Sequence, residues 1–253
     1  MALPIEFSVT TLFGAAMVLL GALVLVVSGR YIWRATAILR ATEIHTTAEA
    51  APGTLVRVSG TIVEDSDELL VAPFSGVECV ALRYEIEERR LGPISPLPWY
   101  VTVHEATGAV DFSVRTATGT VPVVEPVRTV VLTTEVVETT RAETEPAARI
   151  RAFEADHDTI PESTIWQRPP AFLAPLFRWL SLGTRRYSEQ RAAPGADVTV
   201  VGRITETGSG IDPRVVSNRA AGATLVRMAK TSIGGLLIAA IGLSLGYLLL
   251  VLG

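Results

Sequence analysis

Apolar side chains follow two different rhythms along this chain. From Leu55 the period is two: Val56, Val58 and Gly60 alternate with Leu55, Arg57 and Ser59, and Ile62 continues the apolar set. That rhythm predicts a strand with one buried face. Leu69-Leu70-Val71-Ala72 predicts a second short strand, stopped at Pro73, and Val77 to Glu87 a longer third. The three strands fill Gly53 to Arg90. Between them lie the acidic turn Glu64 to Glu68 and the corner Ala72-Pro73-Phe74-Ser75-Gly76. Gly195 to Ile204 repeats the Gly-x-x-Val-x-Val-x-Gly pattern of Gly53 to Gly60, so equivalent strands are expected at the two places.

Further strands are expected at Trp99 to Glu105, Ala109 to Thr116, Val121 to Val124, within Val127 to Val137, and at Val215 to Ser217. Ala106-Thr107-Gly108 and Gly119 read as turns, and Arg89 to Pro98, with three prolines, as a loop. Pro146 to Phe153 reads as a short helix with proline in its first turn, followed by the polar loop Asp156-His157-Asp158. Strands crowded at this spacing predict a mainly β domain, a small barrel or sandwich with one or two short helices.

Both ends break the alternation. Ser8 to Val27 and Ile233 to Leu252 carry no charge. A helix of that length rises about 30 Å, the thickness of a bilayer's hydrocarbon core. Arg30, Arg34 and Arg40 follow the first stretch, and Arg219, Arg227 and Lys230 precede the second. These flanks predict a retained anchor rather than a cleaved leader. They also place the middle of the chain in the cytoplasm and both termini outside. Gly242 and Gly246 form a small-xxx-small pair, and Gly14 and Gly21 lie a heptad apart, which predicts helix pairing within or between chains. The expected order is a transmembrane helix over 8–28, a helical linker over 29–52, the β-rich domain over 53–217, a basic linker over 218–231, and a second transmembrane helix over 232–252.

Composition supports lipid as a partner: apolar residues make up 49% of the chain and the mean hydropathy is +0.39. The net charge of −4 argues against a nucleic-acid binder, which shows a basic face. Basic residues are almost all Arg, a bias that suggests a GC-rich genome. One cysteine, Cys79, and three histidines leave no disulfide, and a four-ligand zinc site would need all four at no recognised spacing. The acidic turn lacks the ligand spacing and turn glycine of a calcium loop and reads as a solvated hairpin. No metal or cofactor is expected. Cys79 is a nucleophile only with a base and an orienting group beside it. As a small apolar strand residue it needs nothing more, and that reading is preferred. His104 reads as a strand histidine, His45 as a solvated or capping residue.

Ile165 to Leu182 is the least polar internal stretch. Pro169, Pro170 and Pro175 rule out a third span. Its mixture of Trp and Arg suits the lipid interface, with Trp166, Phe172, Phe177, Arg178 and Trp179 as candidate contacts. Covering the core of the β domain is the other use for such a segment.

Several of these residues carry a resemblance. Gly60-Thr61-Ile62-Val63 is followed by Ala72 to Ala81, with Pro73, Gly76, Glu78 and Cys79. Next come Tyr84-Glu85-Ile86-Glu87-Glu88-Arg89 and Trp99, and later Phe112 and Thr118-Gly119. Arg186-Tyr187-Ser188-Glu189 stands before Pro194-Gly195 and Gly202. The pattern resembles the GIDE domain. That domain lies between two membrane spans in MULAN-type mitochondrial E3 ubiquitin ligases, and bacterial and archaeal membrane proteins also carry it. The resemblance implies a GIDE-type β domain held by two spans, and a place among the prokaryotic members. Those ligases recruit the conjugating enzyme through a RING finger, which needs about eight Cys/His ligands. This sequence has one Cys and three His.

The resulting expectation is a membrane-anchored, non-catalytic module that binds a protein partner or senses the bilayer. Two alternatives stand beside it. One is a component of a ubiquitin-like modification pathway, E3-like by resemblance alone. The other is a structural membrane organiser that forms homo-oligomers through its spans.

Overall fold

The computed structural model describes residues 9–36, 40–64, 69–92, 97–124, 127, 129–161, 163–218 and 221–252. The chain divides into two compact units, residues 1–41 with 220–253, and residues 42–219. Strands take 38% of the chain and helices 28%, so its class is mainly β.

The first unit is a pair of helices, α1 (Val9–Ala35) and α4 (Ala221–Leu252). Both are long and apolar enough to cross a membrane. Only 17% and 11% of their most apolar stretches are buried, unlike a core helix of a soluble domain. Their contact is a seam of small residues. A Cβ on Gly14 would lie 3.0 Å from the Gly246 carbonyl oxygen, and one on Gly246 would lie 2.8 Å from the Gly14 carbonyl oxygen. Gly242 sits against Gly21, and Gly235 against the Ser28 hydroxyl. The reversed order of these contacts makes the pair antiparallel. Gly14, Gly21 and Ser28 recur every seven residues, so they share one helix face, and their lack of bulk lets the backbones close. Gly242 and Gly246 therefore pack within the chain.

The second unit is built on a five-stranded barrel. β2 (Leu55–Glu64), β7 (Phe112–Arg115), β8 (Thr120–Val123), β12 (Asp197–Ile204) and β13 (Ile211–Ser217) close in the order β2-β12-β13-β8-β7-β2. All neighbours are antiparallel except β8 and β13. Numbered along the chain, the circuit runs one, two, three, five, four and back to one, which is the Greek-key order of an OB-type barrel. Val56, Val58, Ile62, Phe112, Val114, Val121, Val123, Val198, Val200, Ile204 and Ile211 fill it. These are the alternate positions of each strand, as period two requires.

The two similar glycine-bounded strands turn out to be barrel neighbours. Val58 pairs directly with Val200, and a local two-fold axis passes between them. The Gly53 N–H donates to the Ile204 carbonyl (2.9 Å), and its counterpart Gly195 donates to the Ile62 carbonyl (3.0 Å). Both glycines have φ of +78°, a region open to residues without a Cβ. A Cβ on Gly60 would lie 2.1 Å from the Arg115 carbonyl oxygen on one flanking strand. One on Gly202 would lie 2.2 Å from the Asp212 carbonyl oxygen on the other.

Two insertions leave the barrel. The first, between β2 and β7, carries the hairpin β3 (Leu70–Val71) and β4 (Glu78–Cys79), then β5 (Ala81–Leu91) and β6 (Pro98–Ala109). The second, between β8 and β12, carries β9 (Val130–Val131), β10 (Glu135–Thr140), α2 (Ala148–Ala155), α3 (Ala174–Trp179) and β11 (Arg185–Ala192). The insertions join in a four-stranded sheet ordered β10-β11-β5-β6. Ile150 and Phe153 of α2 pack on the Tyr84, Ile86 and Tyr187 face of that sheet.

Four expectations are corrected. Ala106-Thr107-Gly108 is not a turn: β6 runs through it, paired with Tyr84, Arg83 and Leu82, because β5 offers a hydrogen-bonding edge along that whole length. Val77 to Glu87 is two strands, divided at Val80, because β4 pairs with β3 whereas β5 joins the larger sheet. The linker over 29–52 is not helical throughout. α1 ends at Ala35, and β1 (Thr42–Glu43) lies parallel on β2, followed by a 3-10 turn at Thr47–Glu49. The basic linker over 218–231 is mostly the opening of α4. Residues 37–39, the acidic residues 65–68 and the loop residues 93–96 lie outside the described residues.

Gly60→Ala and Gly202→Ala are each expected to destabilise the barrel by about 1–3 kcal/mol, because a strand must shift to admit the methyl. Denaturant unfolding followed by far-ultraviolet circular dichroism measures this.

Candidate functional site

Two places in the second unit gather chemically distinctive side chains. The first is the corner after β3. Glu189 on β11 is 1% exposed and reaches into it. Its Oε1 accepts from the backbone N–H groups of Phe74 (2.7 Å) and Ser75 (3.1 Å), and its Oε2 from the Ser75 hydroxyl (2.6 Å) and the Arg191 guanidinium (3.0 Å). Both carboxylate oxygens of this buried side chain are thus hydrogen-bonded, and a guanidinium stands beside them. Arg149 of α2 closes the other side, donating to the Pro73 carbonyl (3.0 Å). Gly76, with φ of +78°, leaves room for that guanidinium, which a Cβ would meet at 3.0 Å. The ring of Phe74 stands edge-on to Tyr84 (5.6 Å), Phe153 (5.4 Å) and Tyr187 (5.4 Å). The corner is thus a clasp that locks the two insertions together.

Cys79 is buried beside this clasp, with its thiol 3.6 Å from the Leu70 carbonyl oxygen. Burial, then the Glu189 charge, push the thiol up to about 11. A thiol in that state is not a nucleophile at neutral pH. Pro73, Gly76, Cys79 and Tyr84 meet at the clasp. Glu78 is exposed on β4, and Trp99 lies at the opposite end of the β5–β6 hairpin, where its ring covers Gly92.

His104 stacks on Tyr84 (5.8 Å) and meets His157 edge-on (5.7 Å). Its Nδ1 faces the Thr159 hydroxyl at 3.3 Å, and its Nε2 is buried without a hydrogen-bond partner among the described residues. Burial, then His157, lower its pKa. Among the described residues no group of three His, Cys, Asp or Glu side chains could hold a metal ion.

The second place is 165–182, which leaves and rejoins the sheet at one base. On the way out, the Thr164 hydroxyl donates to the fully buried Glu88 (2.8 Å). On the way back, Gly183 N–H donates to the Arg89 carbonyl and Arg89 N–H to the Thr184 carbonyl, both at 2.9 Å. Gly183, φ +73°, passes so close beneath Trp166 that a Cβ would lie 2.3 Å from its carbonyl oxygen. Arg185 anchors the base from below, donating to Glu154 and the Pro161 carbonyl (each 2.6 Å) and facing Glu88 at 3.5 Å. The Tyr187 hydroxyl shares Glu154 at 2.9 Å.

Above this base, Trp166 and Phe177 stack at 5.6 Å. Phe172 is 81% exposed, Trp179 79% and Ile165 63%. Arg178 is exposed and lies 3.8 Å from Glu143. A pocket of about 290 Å³ opens beside the stacked pair, lined also by Arg141, Arg178, Gln167 and Thr184. Of the candidate interface residues, Phe172, Arg178 and Trp179 therefore face solvent, whereas Trp166 and Phe177 support them. Glu88 and Glu189 stand in the stretches that carry the resemblance, but sequence reasoning gave them no role, and it missed Arg185 as a base residue and the pocket. An alternation of Arg185, Tyr187, Glu189 and Arg191 at period two was the available signal for a shared face.

The outward residues of β7 and β8 include Arg115, Thr120 and Pro122, with no aromatic platform of the kind that OB-type barrels use to stack single strands. The fold and these two places define a class: a β-barrel module with an inserted four-stranded sheet, joined at both ends to apolar helices long enough to cross a membrane. No protein-family model, no curated protein and no solved structure matches the chain.

Two outcomes are expected. Cys79 should resist iodoacetamide in the native protein up to about pH 10, one unit below its raised pKa. Glu189→Gln should speed that labelling by loosening the clasp and removing a charge, and mass spectrometry of timed samples reads both. For His104, the folded state disfavours the proton that the unfolded state accepts near 6.5. Its contribution to stability is therefore full above that pH and is lost as pH falls through and below it. His104→Gln should flatten the dependence of unfolding free energy on pH in this window.

Proposed function

We propose that the protein is a membrane-anchored, non-catalytic module of GIDE type. In this reading α1 and α4 cross the bilayer as an antiparallel pair, with both termini outside. The β-rich unit then sits on the cytoplasmic side and senses or binds what arrives at the membrane surface. One observation carries the reading. The helix pair buries a seam of glycines and turns Leu12, Phe13, Leu19, Leu20, Ile238 and Leu248 outward. Water would penalise that surface at about 25 cal/mol per Å², whereas lipid accepts it. The seam glycines already meet within one chain, which favours a paired anchor over an organiser that uses them between chains.

The GIDE-type assignment rests on the clasp. The motif residues Pro73, Gly76, Cys79 and Tyr84 and the distant Glu189 serve one structural purpose, so their co-occurrence in the sequence has a physical cause. The same packing supports a non-catalytic reading, because the thiol is buried and protonated and the glutamate is committed to four donors.

Alkaline carbonate extraction of the full chain should leave it in the membrane pellet. A reporter fused after Gly253 should be active only outside the cytoplasm. Release of the chain into the supernatant overturns the anchor, and a cytoplasmic reporter signal overturns the orientation.

A further inference from the structure

We infer that 165–182 is a lipid-docking element whose pocket receives the headgroup of an anionic phospholipid. The inference rests on the anchored reading above and names the ligand class that the domain meets at the membrane.

The first support is an apolar ridge that no other described residue covers. Ile165, Phe172, Leu176 and Trp179 are all exposed, and they lie within one short stretch. Three prolines and the stacked Trp166–Phe177 pair keep this stretch from folding back onto the sheet. Its base is tied by Glu88, the Arg89 backbone and Arg185, so the ridge is presented by a braced support. Trp and Phe with flanking Arg are the side chains that settle at the headgroup level of a bilayer.

Charge supplies the second support. Although the chain carries −4 overall, Ser163 to Ser188 contains Arg168, Arg178, Arg185 and Arg186 and no acidic residue. Arg185 and Arg186 are paired with glutamates of the sheet and α2, which leaves Arg168 and Arg178 exposed beside the ridge. A protein groove of matching shape would bring its own mixture of charges. A surface of anionic lipid presents one sign everywhere, as this stretch does in reverse.

The third support is the pocket. At about 290 Å³ it is at the small end for ligand sites, enough for a headgroup but not for acyl chains. Arg141 and Arg178 supply planar guanidinium donors suited to a phosphate. Gln167 and Thr184 add polar groups, and the Trp166–Phe177 pair forms an apolar wall for the glycerol. Glu143 also lines the pocket, 3.8 Å from Arg178 with both side chains about two-thirds exposed, a loose pair that a bidentate phosphate would have to displace. Ser181 on the pocket wall, φ +51°, closes α3 as a left-handed cap: its N–H donates to the Arg178 carbonyl (3.0 Å) and the Leu182 N–H to the Phe177 carbonyl (2.9 Å). The acyl chains of a seated lipid would continue over the ridge.

The test uses the full chain in two settings. For docking, the chain carries Ala171→Cys labelled with an environment-sensitive fluorophore, native Cys79 being buried. It is reconstituted in nanodiscs of phosphatidylcholine alone or mixed with phosphatidylglycerol. An apolar environment at the label, stronger with phosphatidylglycerol, is expected, and Phe172→Ser with Trp179→Ser should return the label to water in both discs. For the pocket, dihexanoylphosphatidylglycerol is titrated into detergent-solubilised protein and followed by calorimetry. Saturable binding is expected, weakened about tenfold to thirtyfold by Arg141→Gln with Arg178→Gln and less by the ridge variant, which removes only contacts to the short acyl chains. A water-exposed label in both discs overturns the docking and leaves a protein as the ridge's occupant. Binding that ignores the two arginines overturns the pocket. Inorganic phosphate binding as tightly as the lipid overturns the lipid as its source. Carbonate extraction reports separately on the anchor, so loss of docking in a chain that stays in the pellet counts against this inference alone. Protection of Cys79 from iodoacetamide shows that each variant is folded.

Discussion

The pairing of β2 with β12 is the constraint on which the second unit depends. The two strands are far apart in the chain, and each carries a glycine where the carbonyl of its other neighbour, on β7 or β13, crowds its face. Gly60 and Gly202 remove the Cβ atoms that would hold the neighbours away, and Gly53 and Gly195 turn the chain into the strands at φ values open to them. With that pair in place the barrel closes through β8 and β13, which meet at Val123 and Ile211. Closure also brings the departure and return points of both insertions together. Half of the four-stranded sheet comes from each insertion.

Once the sheet exists, β11 acts as its organising strand. Arg185, Tyr187, Glu189 and Arg191 project to one face at the two-residue period of a strand, and each meets a partner from another element. Charges this deeply buried are costly unless every donor and acceptor is met. Glu189 meets that condition by accepting backbone N–H groups at the corner. Arg185 is balanced by Glu154, Glu88 and the Pro161 carbonyl, but its Nε and the facing Glu88 Oε2 make no hydrogen bond among the described residues. One end of β11 thereby locks the Pro73–Gly76 corner and the other braces the ridge over 165–182. A sequence motif and an apolar loop that look unrelated in the chain rest on the same strand.

The helix pair uses the same device. Gly14, Gly21, Gly242 and Gly246 give up side chains so that backbones can approach, as Gly60 and Gly202 do in the barrel. In the barrel the gain is hydrogen bonding and a packed core. In the helices it is close van der Waals contact, with bulky side chains left outward.

Features set by local periodicity were legible from the residues alone. Alternation at Val56, Val58 and Ile62 marked a half-buried strand because a strand's inside and outside are decided two residues at a time. The uncharged ends marked long apolar helices for the same local reason. The similarity of Gly53–Ile62 to Gly195–Ile204 was visible too, but not that the two are neighbours. The tertiary structure decided that, along with the continuation of β6 through Ala106 to Gly108, the partner of the corner in Glu189, and the pocket beside Trp166. Each of these depends on a group supplied from a distant part of the chain. A turn signal yields when a partner strand offers a full edge, and a buried glutamate shows its role only when the N–H groups that it accepts are brought to it.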